Sequence, residues 1–283
     1  MTMLRVLDLF SGIGGFSLGL ERTGGFKTVA FCEIETFPRK VLAKHWPGVP
    51  IYDDIRTLTA ERLAADGIGV DVICGGFPCQ DISVAGKGAG IEGARSGLWS
   101  EYARLIEELR PFFALVENVP ALRTRGADRV LSDLAALGYA CEPIVVGALH
   151  VCAPHRRQRA WLVAHAIGND LRDEQGRGGW ASRPEPAFVV QHGREGAVAD
   201  SYDDQREPSW PPGRMGWVGL ADDDGASTAR GAHWSAEPDV GRVAHGVPAR
   251  VDRLKALGNA VVPQIPELIG RAILASEQMR EAA

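Results

Sequence analysis

The fold class this sequence predicts is α/β, with a mostly parallel sheet covered by helices on both faces. Three observations predict it. Short apolar runs alternate with amphipathic stretches through residues 1–165, which is the pattern of strand–helix–strand units. A glycine-rich turn, Gly12-Ile13-Gly14-Gly15, separates the first strand from the first helix. After a long irregular stretch, helical spacing returns from Pro248 onward.

Leu4 to Leu9 reads as a buried strand and Phe16 to Arg22 as the helix that follows it. Lys27 to Cys32 is the second strand and Pro38 to His45 the second helix. Val70 to Cys74 is a strand ending in Gly75-Gly76. Leu98, Tyr102, Leu105, Ile106 and Leu109 give a helix its apolar stripe. Phe112 to Val116 reads as a strand, Val130 to Leu137 as a helix and Ala160 to Ala164 as a strand. Arg250 to Leu257 is amphipathic, Gly258-Asn259 breaks it, and Ile265 to Met279 reads as a closing helix. The expected organisation is a catalytic and cofactor-binding region over 1–165, an irregular insert over 166–247 and a segment 248–283 that packs back on the first part. In parallel sheets of this kind, ligands bind at the carboxyl ends of the strands.

The bulk numbers narrow the classes. With 283 residues, 45% of them hydrophobic, the chain can bury a sizeable core. No apolar run is long enough to span a membrane, and the N-terminus shows no signal-peptide pattern, so the expected location is cytoplasmic. The five cysteines, Cys32, Cys74, Cys79, Cys141 and Cys152, form no C-x-x-C pair. Reduced thiols and no metal site are expected. The net charge of −5 does not favour nucleic acid, but a local basic face decides that question, not the sum. Basic residues do cluster at Arg123, Arg125 and Arg129, from His155 to Arg159, and at Arg250, Arg253 and Lys255.

Four stretches carry chemistry. In Asp8 to Gly15 a strand feeds a glycine turn that opens a helix, so backbone N–H groups can approach a ligand. The spacing is not G-x-G-x-x-G, which disfavours a nicotinamide dinucleotide. Glu33, about twenty residues on, suits a ribose hydroxyl, and Asp53-Asp54-Ile55 suits an adenine amino group. In Gly75-Gly76-Phe77-Pro78-Cys79-Gln80 a thiol follows a strand, in a loop that Pro78 restricts. A lone cysteine is ordinarily a small buried apolar residue; this setting points to a nucleophile. Glu117 and Asn118 follow the strand Phe112 to Val116, at the same edge, where a carboxyl can hold a proton. Arg157 and Arg159 precede the strand at Ala160, and a guanidinium fork suits a carbonyl oxygen or a phosphate.

In this order, the motifs Asp8-Leu9-Phe10-Ser11-Gly12-Ile13-Gly14-Gly15, Gly76-Phe77-Pro78-Cys79-Gln80, Glu117-Asn118-Val119, Arg157-Gln158-Arg159 and Gly258-Asn259-Ala260-Val261-Val262-Pro263 resemble those of the DNA (cytosine-5) methyltransferases of bacteria and phages. The resemblance implies a Rossmann-like sheet of the S-adenosylmethionine-dependent methyltransferases, with the insert as a target-recognition region. It implies S-adenosylmethionine as cofactor, S-adenosylhomocysteine as product, no metal, double-stranded DNA as substrate and a monomer. Phe10, Gly12, Gly14 and Gly15 would line the amino acid end of the cofactor. Glu33 would hold the ribose, Ile34 the adenine face, and Asp54 and Ile55 its edge. Asn259 and Ala260 would close the pocket. Cys79 would add to carbon 6 of a flipped cytosine, Glu117 would hold ring nitrogen 3, Arg157 the ring oxygen, and Arg159 would order Cys79 and the base.

Two positions depart from the family pattern: His155 stands where the family usually has Gln, and Ala85 where it often has Ser. Altered hydrogen bonding around the site is expected, not loss of activity. The insert carries 14 carboxylates against 8 arginines, the reverse of what phosphate binding favours. A tRNA cytosine methyltransferase shares the same core and is the alternative reading; a non-catalytic DNA-binding module is a third. A cognate restriction endonuclease and the recognised DNA sequence are not written in this chain.

Overall fold

The computed structural model describes residues 3–78, 97–153, 155–167, 218–219 and 248–281. Cys79 and Ala85, and all of the 166–247 insert except residues 166–167 and Val218–Gly219, lie outside them.

Strand β1 is Leu4–Leu9, helix α1 Gly15–Glu21, strand β2 Phe26–Cys32 and helix α2 Thr36–His45. The short strand β3 (Ile51–Tyr52) and helix α3 (Ala60–Ala65) follow, then β4 (Val72–Gly75) and α4 (Leu98–Leu109). Next come β5 (Phe113–Asn118), α5 (Ala127–Ala136), β6 (Tyr139–Gly147) and β7 (Gln158–Ala166). Val218–Gly219 forms β8, and α6 (Arg250–Asn259) and α7 (Gln264–Glu281) complete the described chain. The strands form one sheet in the order β3-β2-β1-β4-β5-β7-β6-β8. β1 to β5 pair in parallel, while β7 runs antiparallel to both neighbours.

Both faces of the sheet are covered. On one, Leu7, Leu9 and Ile73 pack with Tyr102, Leu105 and Ile106 of α4 and Val130 and Leu134 of α5. On the other, Val6, Val72 and Leu115 pack with Phe16 and Leu20 of α1 and with Ile265, Ile269 and Ile273 of α7. Those three isoleucines recur every fourth residue, which places them on one stripe of α7. Each is nearly fully buried, and burying such a side chain stabilises the fold by roughly 1.5–3 kcal/mol. Residues of β1 thus bury side chains on both faces, which is why the run reads as continuously apolar instead of alternating.

Three differences from the sequence reading matter for the site. β5 extends two residues further than expected, so Glu117 and Asn118 are strand residues. β7 begins at Gln158 and takes in Arg159. Strand β6 is absent from the sequence reading because Glu142 and Pro143 interrupt its apolar residues, and its burial alternates along the chain. The turn from β6 into β7 reverses the chain, so β7 enters the sheet beside the end of β5. Asn118 pairs with Ala160 and Glu117 with Trp161. Antiparallel pairing is thus what brings the arginine motif to the carboxyl edge. Among the described residues, no helix is long and apolar enough to cross a membrane.

Candidate active site

A cleft of about 670 Å³ runs along the carboxyl ends of β1, β2, β4 and β5. At one end lie Phe10, Gly12, Glu33, Ile34, Asp54 and Ile55. At the other lie Gly76, Phe77, Pro78, Glu117, Arg157 and Arg159. Asn259 of α6 faces the same space. Thirteen of the fourteen predicted site residues are described; ten line this cleft, whereas Gly14, Gly15 and Ala260 do not.

The glycine turn is tied to the second strand. Gly12 N donates to Glu33 Oε2 at 2.7 Å, and Glu35 N donates to Glu33 Oε1 at 2.7 Å. Burial raises the Glu33 pKa, and these two backbone bonds oppose that rise. Each carboxylate oxygen keeps a second lone pair for a hydroxyl. Ile34 next to it is 63% exposed, an apolar face turned to solvent at the lip of a polar pocket, as a flat ring would require. Asp54 accepts from Arg56 N at 3.0 Å and pairs with the Arg56 guanidinium, which lowers its pKa. Lys255 of α6 reaches Glu35 at 2.8 Å and so ties α6 to the entrance of α2.

Gly14 and Gly15 do not line the cleft, and both are closely packed where a Cβ would stand. A Cβ on Gly14 would meet the Trp46 ring at 2.6 Å, and one on Gly15 would meet Val261 O at 2.6 Å. Trp46 is held in turn by Nε1 donating to Glu21 Oε2 at 2.9 Å. Beneath the turn, fully buried Asp8 accepts from Ser17 Oγ at 2.7 Å and Ser17 N at 3.3 Å. Burial pushes the Asp8 pKa up to about 7, and the Ser17 bonds offset only part of that shift.

At the other end, Glu117 Oε1 pairs with Arg159 Nε at 2.8 Å, and the Glu117 side chain is only 12% exposed. Residues at i and i+2 of a strand share a face. Arg159 and Trp161 therefore lie on the same face as Glu117, which pairs with Trp161. Burial raises the Glu117 pKa; Arg159 and then Arg157 oppose the rise. Glu117 Oε2 occupies the space beside Gly76, where a Cβ would stand 2.6 Å from it. Arg157 Nη2 donates to Ala260 O at 2.8 Å. His155 is exposed.

Asn118 belongs to the motif Glu117-Asn118-Val119, whose pattern assigns it no task. Its Nδ2 donates to Phe77 O at 3.1 Å, and its Oδ1 accepts from Val119 N at 2.8 Å. It therefore anchors the loop that leads to Cys79. A strand position next to Glu117 points to the opposite face, and a buried amide there requires partners; that was the available signal. Among the described cysteines, burial raises the thiol pKa of Cys32 and Cys141 to about 12 and that of Cys74 well above its ordinary value. Burial thus disfavours the thiolate at those three positions.

The comparisons agree with this architecture. A Bacillus subtilis protein, type II methyltransferase M2.BsuMI, is 40% identical over 178 residues, covering 60% of this chain and 44% of that protein. Type II methyltransferase M.Eco47II of Escherichia coli is 38% identical over 174 residues, covering 59% of this chain and 40% of that protein. The chain thus spans less than half the length of these two relatives. An Entamoeba histolytica methyltransferase structure covers 65% of this chain and 58% of its own at TM-score 0.51 and 18% identity, a likeness of fold alone. Residues 4–206 match the C-5 cytosine-specific DNA methylase family, and the chain belongs to that family.

Proposed function

We propose that this protein transfers a methyl group from S-adenosylmethionine to carbon 5 of cytosine in double-stranded DNA. The observation that carries the proposal is the continuity of the cleft. It joins an end suited to a nucleoside, at Glu33 and Ile34, to an end holding a carboxyl–guanidinium pair, at Glu117 and Arg159.

The residues at hand fit the cofactor. Glu33 would hold the ribose and Ile34 the adenine face, with Asp54 and Ile55 at its edge. Phe10 and Gly12 would flank the amino acid end, and Asn259 would close the wall. When bound, S-adenosylmethionine supplies an electrophilic methyl group.

The protein's part is to make carbon 5 of the base a nucleophile. A base inside a duplex cannot reach this cleft, so it is flipped out of the stack. The Cys79 thiolate forms a bond to carbon 6, and the displaced electron pair moves onto carbon 5. Glu117, its pKa raised by burial, supports ring nitrogen 3 with a proton or hydrogen bond as charge develops there. Arg159, already on Glu117, is the guanidinium placed to orient that carboxyl. The ring oxygen falls to Arg157 by family position. After carbon 5 has taken the methyl, it loses its proton, the Cys79–carbon 6 bond breaks and the thiolate leaves. The motif Gly76-Phe77-Pro78-Cys79-Gln80 continues from β4, and its residues Gly76, Phe77 and Pro78 line the cleft beside Glu117, which supports Cys79 as the nucleophile. Sequence choice is assigned to the 166–247 insert.

The test is transfer of labelled methyl to duplex DNA and to tRNA, with bisulfite sequencing of DNA from expressing cells. Label on DNA, read as protected cytosines at one short sequence, is expected. Labelled tRNA with blank DNA would sink the proposal in favour of the tRNA reading. Cys79→Ser should lower turnover by at least about 10³-fold while leaving the Kd for S-adenosylmethionine unchanged; undiminished methylation would remove the nucleophile assignment.

A further inference from the structure

The segment Ala260 to Pro263 joins α6 to α7, and its backbone is gripped from two sides. From the β7 side, Arg157 Nη2 donates to Ala260 O at 2.8 Å, across 103 residues of sequence. From the α1 side the segment is seated on glycines: a Cβ on Gly15 would stand 2.6 Å from Val261 O, and one on Gly19 would stand 2.1 Å from Pro263 O. Side chains at those positions would push the segment away. Asn259, one residue before the gripped carbonyl, lines the cleft, as does Arg157 itself. The guanidinium that pairs with Glu117 is that of Arg159. Arg157 is directed instead at the C-terminal segment.

We propose that Arg157 is a positioning residue for the cofactor end of the cleft: by holding the Ala260 carbonyl it fixes the wall that carries Asn259. The inference rests on the functional reading above and extends it. An arginine from the base side of the cleft thereby governs methyl-donor affinity in the absence of any base. Linkage makes the effect reciprocal: a bound methyl donor fixes the 259–260 wall and, with it, the Arg157 guanidinium. The glycine face of α1 makes the link stiff, because a segment seated on helix backbone cannot follow a displaced guanidinium without lifting off α1.

The experiment measures binary affinity for S-adenosylmethionine in the full chain without nucleic acid. Arg157→Ala should raise the Kd about tenfold, since loss of a charge-assisted hydrogen bond is being read through one wall of the site. Arg157→Lys, which keeps a cationic donor, should recover part of that loss. Glu117→Gln and Arg159→Ala should leave the binary Kd within about twofold, although both remove groups of the base end. Backbone amide exchange at residues 260–262 should accelerate in Arg157→Ala and stay slow in Glu117→Gln. Wild-type Kd and unchanged exchange in Arg157→Ala would overturn the proposal. If Arg157→Ala fails to fold, Arg157→Lys decides: a Kd equal to wild type overturns it and a severalfold rise supports it. Wild-type protein that binds no S-adenosylmethionine would defeat the functional reading instead, and the exchange at 260–262 would still report on the Arg157 link.

Discussion

The two ends of the cleft each present a glutamate at the carboxyl edge of a parallel sheet, yet the two carboxylates are held differently. Glu33 is held by backbone amides, Gly12 N and Glu35 N, both at 2.7 Å. Glu117 is held by a side chain, Arg159, at 2.8 Å. Amides donated by a turn and by the strand's own continuation cannot leave, so Glu33 remains an acceptor with a fixed direction. That suits a ligand which must be gripped but not changed. A guanidinium can swing or share, so Glu117 can pass a hydrogen bond to a base while its charge stays compensated. Burial raises the pKa of both groups, but only the second has a partner that can respond when charge develops. On the proposed function, the difference separates a binding carboxylate from a reacting one.

Substitutions can break that comparison. Glu117→Gln removes the proton and the charge together and should lower kcat about 10²- to 10³-fold, with the S-adenosylmethionine Kd unchanged. Single-turnover methylation checks it, and a loss confined to cofactor affinity would erase the distinction. Gly76→Ala places a methyl 2.6 Å from Glu117 Oε2. It should shift that carboxyl and cost roughly tenfold in kcat, since a small misplacement of a reacting group is expensive; an unchanged rate would show that the carboxyl has room. Glu33→Gln should do the reverse of Glu117→Gln. It should raise the cofactor Kd about tenfold and leave kcat at saturation near wild type, as titration calorimetry and saturating kinetics would reveal.

Asp8 sharpens the comparison as a third carboxylate, one that faces no cleft. Its folded pKa stands near 7 against an ordinary 3.8. Between about pH 4 and 7 the folded chain therefore holds a proton that the unfolded chain has lost. Stability is lost as pH rises through that window and is flat above it. Asp8→Asn keeps an acceptor for Ser17 and removes the titration. Its melting temperature should exceed wild type by a few degrees at pH 8 and match it near pH 4. Thermal melts across pH would show this, and a variant less stable at pH 8 would mean that Asp8 is held as a charge.

Which residues gather at the candidate site is largely legible in the sequence. The glycine turn after β1, Glu33 after β2 and Glu117 near the end of β5 follow from apolar runs that stop at the same edge. The limits of legibility fall at particular residues. Gly14 and Gly15 carry a second constraint that a sequence cannot show: Trp46 and Val261 occupy the space a Cβ would need. Asn118 read as part of a motif, because its partner, the Phe77 carbonyl, is 41 residues away. Strand β6 is hidden in the sequence by Pro143 and a half-buried alternation.

By itself, then, the sequence determined the α/β alternation and the sheet edge at which Glu33, Glu117 and the arginine pair gather. Those are properties of local runs and their order. Which arginine meets Glu117, and which meets the C-terminal segment, was decided only in three dimensions. Arg157 and Arg159 are two residues apart and chemically alike. They are told apart by the antiparallel entry of β7 beside β5, and by a backbone segment that reaches Arg157 because the glycines of α1 let it come close.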